Sequence, residues 1–198
     1  MLVLAFALWQ LGQAAWIQGK AVVAQFLIRA AWAETGPERT AVRPWPWADT
    51  WPVARLSAPE RGVELYVLAG ADDRTLAFGP GHVFGTPRPG SPGNSVVGAH
   101  RDTHFAFLQR LENGDELIVE TPDRRRLHYR VAHTEVVDKD DLAVLAQPPS
   151  GTRLTLVTCY PFKAVEPGGP LRYAVFAEAL DSAQTHGALA VHAAAGIR

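Results

Sequence analysis

The sequence predicts a mainly β domain of eight short strands, which follows one long N-terminal helix. Short runs of β-branched and apolar residues, separated by Gly, Pro, Asn and Asp, fill residues 53–180. A largely apolar stretch with helical spacing comes before them. Eight short strands with turn signals between them are typical of a barrel or a sandwich. The length of 198 residues accommodates one such domain and an appendage.

Composition and charge narrow the possible functions. Hydrophobic residues make up 47% of the chain and charged residues 20%, which excludes a disordered or fibrous protein. The chain has 19 Lys and Arg residues against 20 Asp and Glu residues, so it has no field of one sign and no nucleic-acid partner is expected. The single cysteine, Cys159, cannot form a disulfide within the chain. It is therefore structural, intermolecular or reactive.

Residues 1–35 contain the predicted N-terminal helix, which runs from Leu2 to about Ala33. The first 17 residues are apolar at all but three positions, which is the lower limit of length for a membrane-spanning helix. We expect this helix to be a membrane anchor. The alternative is a soluble amphipathic helix that packs on the domain. No basic residue precedes Lys20, which argues against an ordinary signal peptide and leaves a truncated or cleaved N-terminus open.

A linker at residues 36–52 and a tail at residues 182–198 flank the predicted domain at residues 53–181. Three prolines in the second half of the linker exclude a regular helix there. We expect its tryptophans to cover one end of the β core rather than to lie among lipid headgroups. The tail is Ala-rich, and its His186 and His192 are expected to be solvated rather than to bind a metal.

The domain is expected to consist of eight strands and two short helices, with no internal repeat. The strands are predicted at residues 53–56, 63–67, 76–78, 95–99, 116–121, 127–137, 153–159 and 172–180. The helices are predicted at residues 69–73 and 105–111.

Three strand ends carry the residue types that acyl-transfer chemistry uses. Cys159 ends one predicted strand, His100 follows another, and Arg172 begins the strand after Cys159. If the last two strands are antiparallel neighbours, Arg172 lies beside Cys159. A thiol can act as nucleophile, an imidazole can transfer protons and a guanidinium can stabilise an oxyanion. Each residue also has a structural explanation: a buried cysteine, a hydrogen-bonding histidine, and an arginine paired with Glu166.

The motifs around these residues resemble those of the sortases, the cysteine transpeptidases. The sequence TLVTC at residues 155–159 resembles the TLxTC motif of that family. The sequence GAHRD at residues 98–102 resembles the segment that carries the sortase histidine, although Ala99 stands where many sortases have another glycine. Arg172 follows the cysteine at a distance that suits the family.

Three further motifs resemble the Gram-negative, proteobacterial branch of the sortases. They are PWPWAD at residues 44–49, HRDTHF at residues 100–105 and CYPF at residues 159–162. Members of this branch are typically single-pass membrane proteins, each paired with one dedicated substrate. The resemblance covers about residues 45–178 and implies an inner-membrane protein whose catalytic domain is on the periplasmic side.

The resemblance implies a closed eight-stranded sortase-type β barrel with His100, Cys159 and Arg172 as catalytic residues in a groove. Cys159 would attack the carbonyl of a threonine in the sorting motif of a substrate protein and form a thioester. His100 would protonate the leaving amine and later accept a proton from the incoming amine. Arg172 would stabilise the oxyanion. The sequence indicates no cofactor and no metal site, it leaves calcium dependence open, and it does not identify the amine acceptor.

Two alternatives remain open from the residues alone. The first is a hydrolytic thiol peptidase on the same barrel, although in papain-like enzymes the cysteine precedes the histidine and begins a helix. The second is a non-catalytic β-barrel binding module, in which Cys159 belongs to the core, His100 is a hydrogen-bonding residue at a strand end and Arg172 is a surface charge. A zinc site is disfavoured because one cysteine and scattered histidines lack ligand spacing.

Overall fold

The computed structural model, which describes residues 2–166 and 168–180, has eight strands in a closed barrel. The strands are β1 (Pro52–Ala58), β2 (Val63–Ala69), β3 (Gly81–His82), β4 (Gly93–Gly98), β5 (Glu116–Glu120), β6 (Arg126–Asp138), β7 (Thr152–Tyr160) and β8 (Leu171–Ala179). Their order around the barrel is β1-β2-β3-β4-β7-β8-β6-β5, and pairing of β1 with β5 closes it. The predicted closed barrel is confirmed. The predicted tail at residues 182–198 lies outside the described residues.

One long helix precedes the barrel, and short helical segments connect several of its strands. The helix α1 spans Leu2–Glu34 and α2 spans Asp73–Leu76. Turns of 3-10 helix lie at Pro59–Arg61, Ala106–Arg110 and Leu142–Leu145. The predicted long helix and the predicted short helix after His100 are both observed, the second as a 3-10 helix.

The C-terminal half of α1 packs on the barrel wall. Four apolar side chains at helical spacing are buried there: Ala24, Ile28, Ala31 and Trp32. The side-chain amide of Gln25 donates to the carbonyl of Phe78 at 2.6 Å and fixes the helix against the segment after α2. This half of the helix therefore packs one of its faces on the barrel, whereas Val22, Val23 and Phe26 are exposed.

The membrane-spanning prediction for residues 1–35 is not supported by the structure. Within residues 2–166 and 168–180, no helix combines the length and the mean hydropathy that a bilayer-crossing segment requires.

The tryptophans of the linker have different surroundings. Trp45 packs edge-on against Phe78, with ring centroids 5.0 Å apart. Trp47 is 82% exposed, and Trp51 is half-buried. The prediction that these rings cover the end of the core is wrong for Trp47, and the ring that Trp45 contacts, Phe78, is half-buried and lies outside the buried core cluster.

The strand predicted at residues 76–78 and the helix predicted at residues 69–73 are both wrong. Asp72 accepts hydrogen bonds from the backbone N–H groups of Arg74 and Thr75, so it caps a helix that begins at Asp73. The third strand comes later, at Gly81. A Cβ at Gly81 would lie 2.1 Å from the carbonyl oxygen of Gly70, so only glycine permits this close approach of backbone.

The segments immediately before and after His100 are both buried in the barrel core. Before it, Val97 of β4 is fully buried. After it, Phe105, Phe107 and Leu108 belong to the same buried cluster as the strand residues. The N–H of Phe105 also donates to the carbonyl of His100 at 3.0 Å. The histidine therefore projects from a short segment that is anchored in the core at both ends.

A buried carboxylate joins α1 to the barrel. Glu120 of β5, with a side chain only 9% exposed, forms ion pairs with Arg55, Arg124 and Arg126. Arg124 also donates to the carbonyl of Trp32 at 3.0 Å, at the C-terminal end of α1. Burial alone would raise the pKa of Glu120, but the hydrogen bonds from the three guanidinium groups and the charge of Arg55 hold this pKa below its usual value.

We expect Glu120→Gln to lower the free energy of unfolding at pH 7 by about 2 kcal/mol, because the guanidinium groups lose a charged acceptor. A carboxyl with a lowered pKa stabilises the fold above its unfolded pKa, and this stability is lost as the pH falls through its folded pKa. The difference between wild type and variant should therefore shrink below pH 4.5, the ordinary value. Urea unfolding of both proteins at pH 7 and at acidic pH measures this difference in the free energy of unfolding. The exposed Glu135→Gln should change neither curve, and an equal loss in both variants would contradict the assignment.

Candidate active site

Three adjacent strands, β4, β7 and β8, form the wall of the barrel that carries the predicted site. β4 runs parallel to β7, with Gly98 opposite Val157. β7 runs antiparallel to β8, with Cys159 directly opposite Arg172. Because residues opposite each other in a sheet project from the same face, Cys159 and Arg172 lie side by side on one face of the wall.

His100 reaches the same edge through the parallel pair. The N–H of Ala99 donates to the carbonyl of Val157 at 3.2 Å, which continues the ladder beyond the end of β4. The buried hydroxyl of Thr158 donates to the carbonyl of Ala99 at 2.7 Å, which joins β7 to the segment that follows β4. Two residues past Gly98, His100 is therefore level with Cys159. The three predicted residues lie on neighbouring segments of the sheet, in the order His100, Cys159, Arg172.

The outward face of β7 gives the cysteine access to solvent. Leu154, Leu156 and Thr158 point into the core and are buried, whereas Cys159 is half-buried. The alternation predicted from the sequence therefore holds at this end of the strand. His100 is exposed, so an external group can approach both the thiol and the imidazole.

Arg172 is held by backbone rather than by a carboxylate. Its Nη1 donates to the carbonyls of Gly169 and Leu171 at 2.8 and 2.9 Å. The expected ion pair with Glu166 is absent among residues 2–166 and 168–180. Within that part of the chain no group accepts from Nε or Nη2, so three of the five guanidinium N–H donors can serve a substrate oxygen.

Aromatic side chains pack together at the ends of β7 and β8, on the face opposite to Cys159 and Arg172. Tyr160 stacks on Tyr173 at 6.1 Å, and Phe162 packs edge-on against Tyr173 at 5.2 Å between ring centroids. Tyr160 directly follows Cys159, and Tyr173 directly follows Arg172. This cluster gives the ends of β7 and β8 a stiff apolar support.

Two other histidines lie close to this wall. Burial, and then the charge of nearby His100, lowers the pKa of His104. His82 of β3 is buried, which lowers its pKa, and its Nε2 lies 2.9 Å from the carbonyl of Pro87. Both surroundings favour the neutral ring.

Sequence reasoning missed one residue of this region, Arg101. Its side chain is 5% exposed, and its guanidinium donates to the carbonyls of Pro161, Ala164 and Glu166 at 2.9, 2.6 and 3.3 Å. These carbonyls belong to the β7–β8 loop, residues 161–170. An arginine beside a histidine at a strand end gives no sign, in sequence alone, that it is buried against a loop so far along the chain.

Comparisons with known proteins match this domain to one family. A profile of the sortase domain matches residues 56–180, which include all three predicted site residues. Sortase D of Bacillus subtilis (strain 168) is 34% identical over 121 residues. The matched region is 61% of this chain and 60% of that protein, so it spans less than two thirds of the relative.

Solved structures of sortases share the fold. Sortase A from Corynebacterium diphtheriae has a TM-score of 0.61 and 29% identity, and the match covers 68% of this chain and 63% of that one. Sortase C-1 from Actinomyces oris has a TM-score of 0.59 and 32% identity, with 66% of this chain and 75% of that one covered. From the closed barrel and these matches, we conclude that the chain belongs to the sortase family of cysteine transpeptidases.

Proposed function

We propose that this protein cleaves a sorting motif near the C-terminus of a substrate protein and transfers the resulting acyl group to an amine. The observation that carries the proposal is the register of β4, β7 and β8, which supports a shared reaction site for His100, Cys159 and Arg172. Membership of the sortase family supports the same chemistry.

In the first half of the reaction, the Cys159 thiolate attacks the carbonyl carbon of the motif threonine. A C–S bond forms, and the carbonyl oxygen becomes an oxyanion that accepts hydrogen bonds from Arg172. His100 donates a proton to the amide nitrogen, so the C–N bond breaks and the C-terminal fragment leaves as an amine. The product is a thioester between the substrate and Cys159.

In the second half, an amine attacks the thioester carbon. His100 accepts the proton that the amine loses, and Arg172 again stabilises the oxyanion. Collapse of this intermediate breaks the C–S bond, returns the thiolate and forms a new amide bond. Attack by water would instead yield a carboxylic acid, which is the reaction of the hydrolytic thiol peptidase.

A peptide pool with and without an amine separates transfer from hydrolysis. The pool fixes threonine at one position and randomises its neighbours, and hydroxylamine serves as the amine. We expect the full chain to convert some peptides to the hydroxamate of the threonine acyl group, identified by mass spectrometry. If saturating hydroxylamine yields carboxylic acid alone, the protein is a peptidase. If no peptide is cleaved and Cys159 acquires no acyl group, the binding-module alternative is favoured.

We also propose that the chain belongs to the Gram-negative branch and acts on one dedicated substrate. The motifs at residues 44–49, 100–105 and 159–162 support this assignment. The relatives reported above come from Gram-positive bacteria, so they support only the family. When wild-type protein is incubated with an extract of the bacterium that produces it, we expect one protein to be attached to Cys159. Attachment of several unrelated proteins would contradict the proposal.

We further propose that the protein works at the periplasmic face of the inner membrane, held by residues 1–35. The apolar groove that α1 forms with the linker, lined by Val23, Leu27, Trp45 and Trp47, supports contact with lipid. In cell fractionation the full chain should sediment with the inner membrane. Protease added to spheroplasts should cleave the barrel. Recovery in the soluble fraction would contradict the proposal.

A further inference from the structure

Arg101 is a buried cation that bonds to a loop far from it in sequence. Its side chain is 5% exposed, and all three nitrogens of the guanidinium have acceptors. Nη1 donates to Pro161, and Nη2 donates to Ala164 and Glu166. Nε donates to Asp102 at 3.2 Å, and this carboxylate is itself 69% exposed. Because burial of a charge is costly unless its donors are satisfied, the loop carbonyls are the partners that permit this position.

The β7–β8 loop has few backbone hydrogen bonds of its own. Two backbone hydrogen bonds involve the described part of the loop outside the strands: Ala164 to Pro161 at 3.1 Å, and Lys139 to Pro170 at 2.6 Å. Arg101 adds three bonds to three different carbonyls. A segment with so few backbone bonds of its own needs side-chain partners to keep one conformation.

The same loop also holds Arg172. The carbonyl of Gly169 accepts from Arg172 at 2.8 Å, so the position of the loop fixes one anchor of that guanidinium. At its other end the loop begins directly after the strand that carries Cys159. Arg101 in turn directly follows His100. A single guanidinium therefore connects the backbone beside His100 to the loop between Cys159 and Arg172.

We propose that Arg101 is a positioning residue, which holds the β7–β8 loop so that Arg172 and His100 keep their places around Cys159. This inference rests on the proposed transpeptidase function. Arg101 does not contact the reacting atoms, and it acts through the carbonyls of the loop. A lysine cannot replace it fully, because one ammonium nitrogen cannot occupy the three separated nitrogen positions of the guanidinium.

The test compares Arg101→Ala, Arg101→Lys and Arg61→Ala in the full chain. Arg61 is a matched control, because it donates to Asp115 with both Nε and Nη2 at 3.2 and 2.5 Å, in a different part of the barrel. Hydrogen exchange measures how fast the amides of the β7–β8 loop exchange. The kcat/KM is measured with a peptide selected from the threonine pool as substrate and hydroxylamine as the amine. All assays are run at a temperature where circular dichroism finds each variant folded.

We expect Arg101→Ala to speed amide exchange in the β7–β8 loop and to lower kcat/KM by about 10- to 100-fold, since small misplacement of reacting groups has effects of this size. Arg101→Lys should fall between wild type and alanine in both measurements. For Arg61→Ala, we expect amide exchange in the β7–β8 loop and kcat/KM to equal those of wild type. If Arg101→Ala does not fold, Arg101→Lys alone decides: wild-type exchange or wild-type kcat/KM overturns the inference.

The outcomes separate this inference from the proposed function. If wild type transfers no acyl group to hydroxylamine, the transpeptidase proposal fails, and with it the catalytic part of the inference. If wild type is active but Arg101→Ala retains wild-type kcat/KM, only the inference is overturned. Faster loop exchange without loss of activity also overturns it, because the loop would then be held for stability alone.

Discussion

Replacing Cys159 with alanine is expected to abolish both halves of the reaction. Without the sulfur no thioester can form, and loss of an enzymatic nucleophile lowers kcat by on the order of 10⁶. Because the side chain is half-buried at the end of β7, the smaller alanine fits without strain and the barrel should remain folded. The hydroxamate product, followed by mass spectrometry with the peptide selected from the pool, measures the loss.

Cys159→Ser and Thr152→Ala complete this experiment. The serine keeps the size of the side chain but has no thiolate, so it should be as inactive as the alanine variant. Thr152 lies at the other end of β7, and its truncation should leave turnover within about twofold of wild type. Substantial transfer by either cysteine variant would show that another group forms the acyl intermediate.

Replacing Arg172 with alanine is expected to lower kcat by about two to three orders of magnitude, the usual effect of removing an oxyanion donor. The donors on Nε and Nη2 are the ones available to substrate, since Nη1 is engaged by the loop. Arg172→Lys should recover only part of the rate, because an ammonium group retains the charge but lacks the fork of donors. Steady-state kinetics with the selected peptide separate kcat from KM.

Arg153→Ala is the matched control for that variant. Arg153 lies at the opposite end of β7 and pairs with Glu178 of β8 at 2.7 Å. It is therefore an arginine in a β7–β8 cross-strand pair, like Arg172, but far from Cys159. We expect its kcat to stay within about twofold of wild type. If Arg172→Ala also keeps its kcat and only KM rises, Arg172 binds the substrate but does not stabilise the transition state.

Local sequence patterns predict most of the barrel. Seven strands have the apolar and β-branched runs that define them, and Asn, Gly and Pro mark the turns. The failure at residues 76–78 has a local cause, because the cap at Asp72 selects a helix where the apolar residues alone suggest a strand. The third strand at Gly81 is too short to give a pattern, and it depends on close backbone packing against Gly70.

The candidate site is only partly a local matter. The pairing of Cys159 with Arg172 follows from a hairpin between consecutive strands, which sequence reasoning can anticipate. The approach of His100 to Cys159 depends on a parallel pair between β4 and β7, which are distant in sequence, and there the family resemblance supplied what periodicity could not. The burial of Arg101 against the β7–β8 loop depends on loop conformation, which no motif in the chain specifies.

Trapping the acyl-enzyme and locating it by mass spectrometry tests the role of Cys159 as nucleophile. Wild-type protein is incubated with the selected peptide in the absence of added amine, quenched in acid and digested. We expect the added mass of the peptide's N-terminal portion, ending in threonine, to reside on Cys159 and to be removed by hydroxylamine. An acyl group on any other residue, or product formation by wild type with no adduct on Cys159, would show that Cys159 is not the nucleophile.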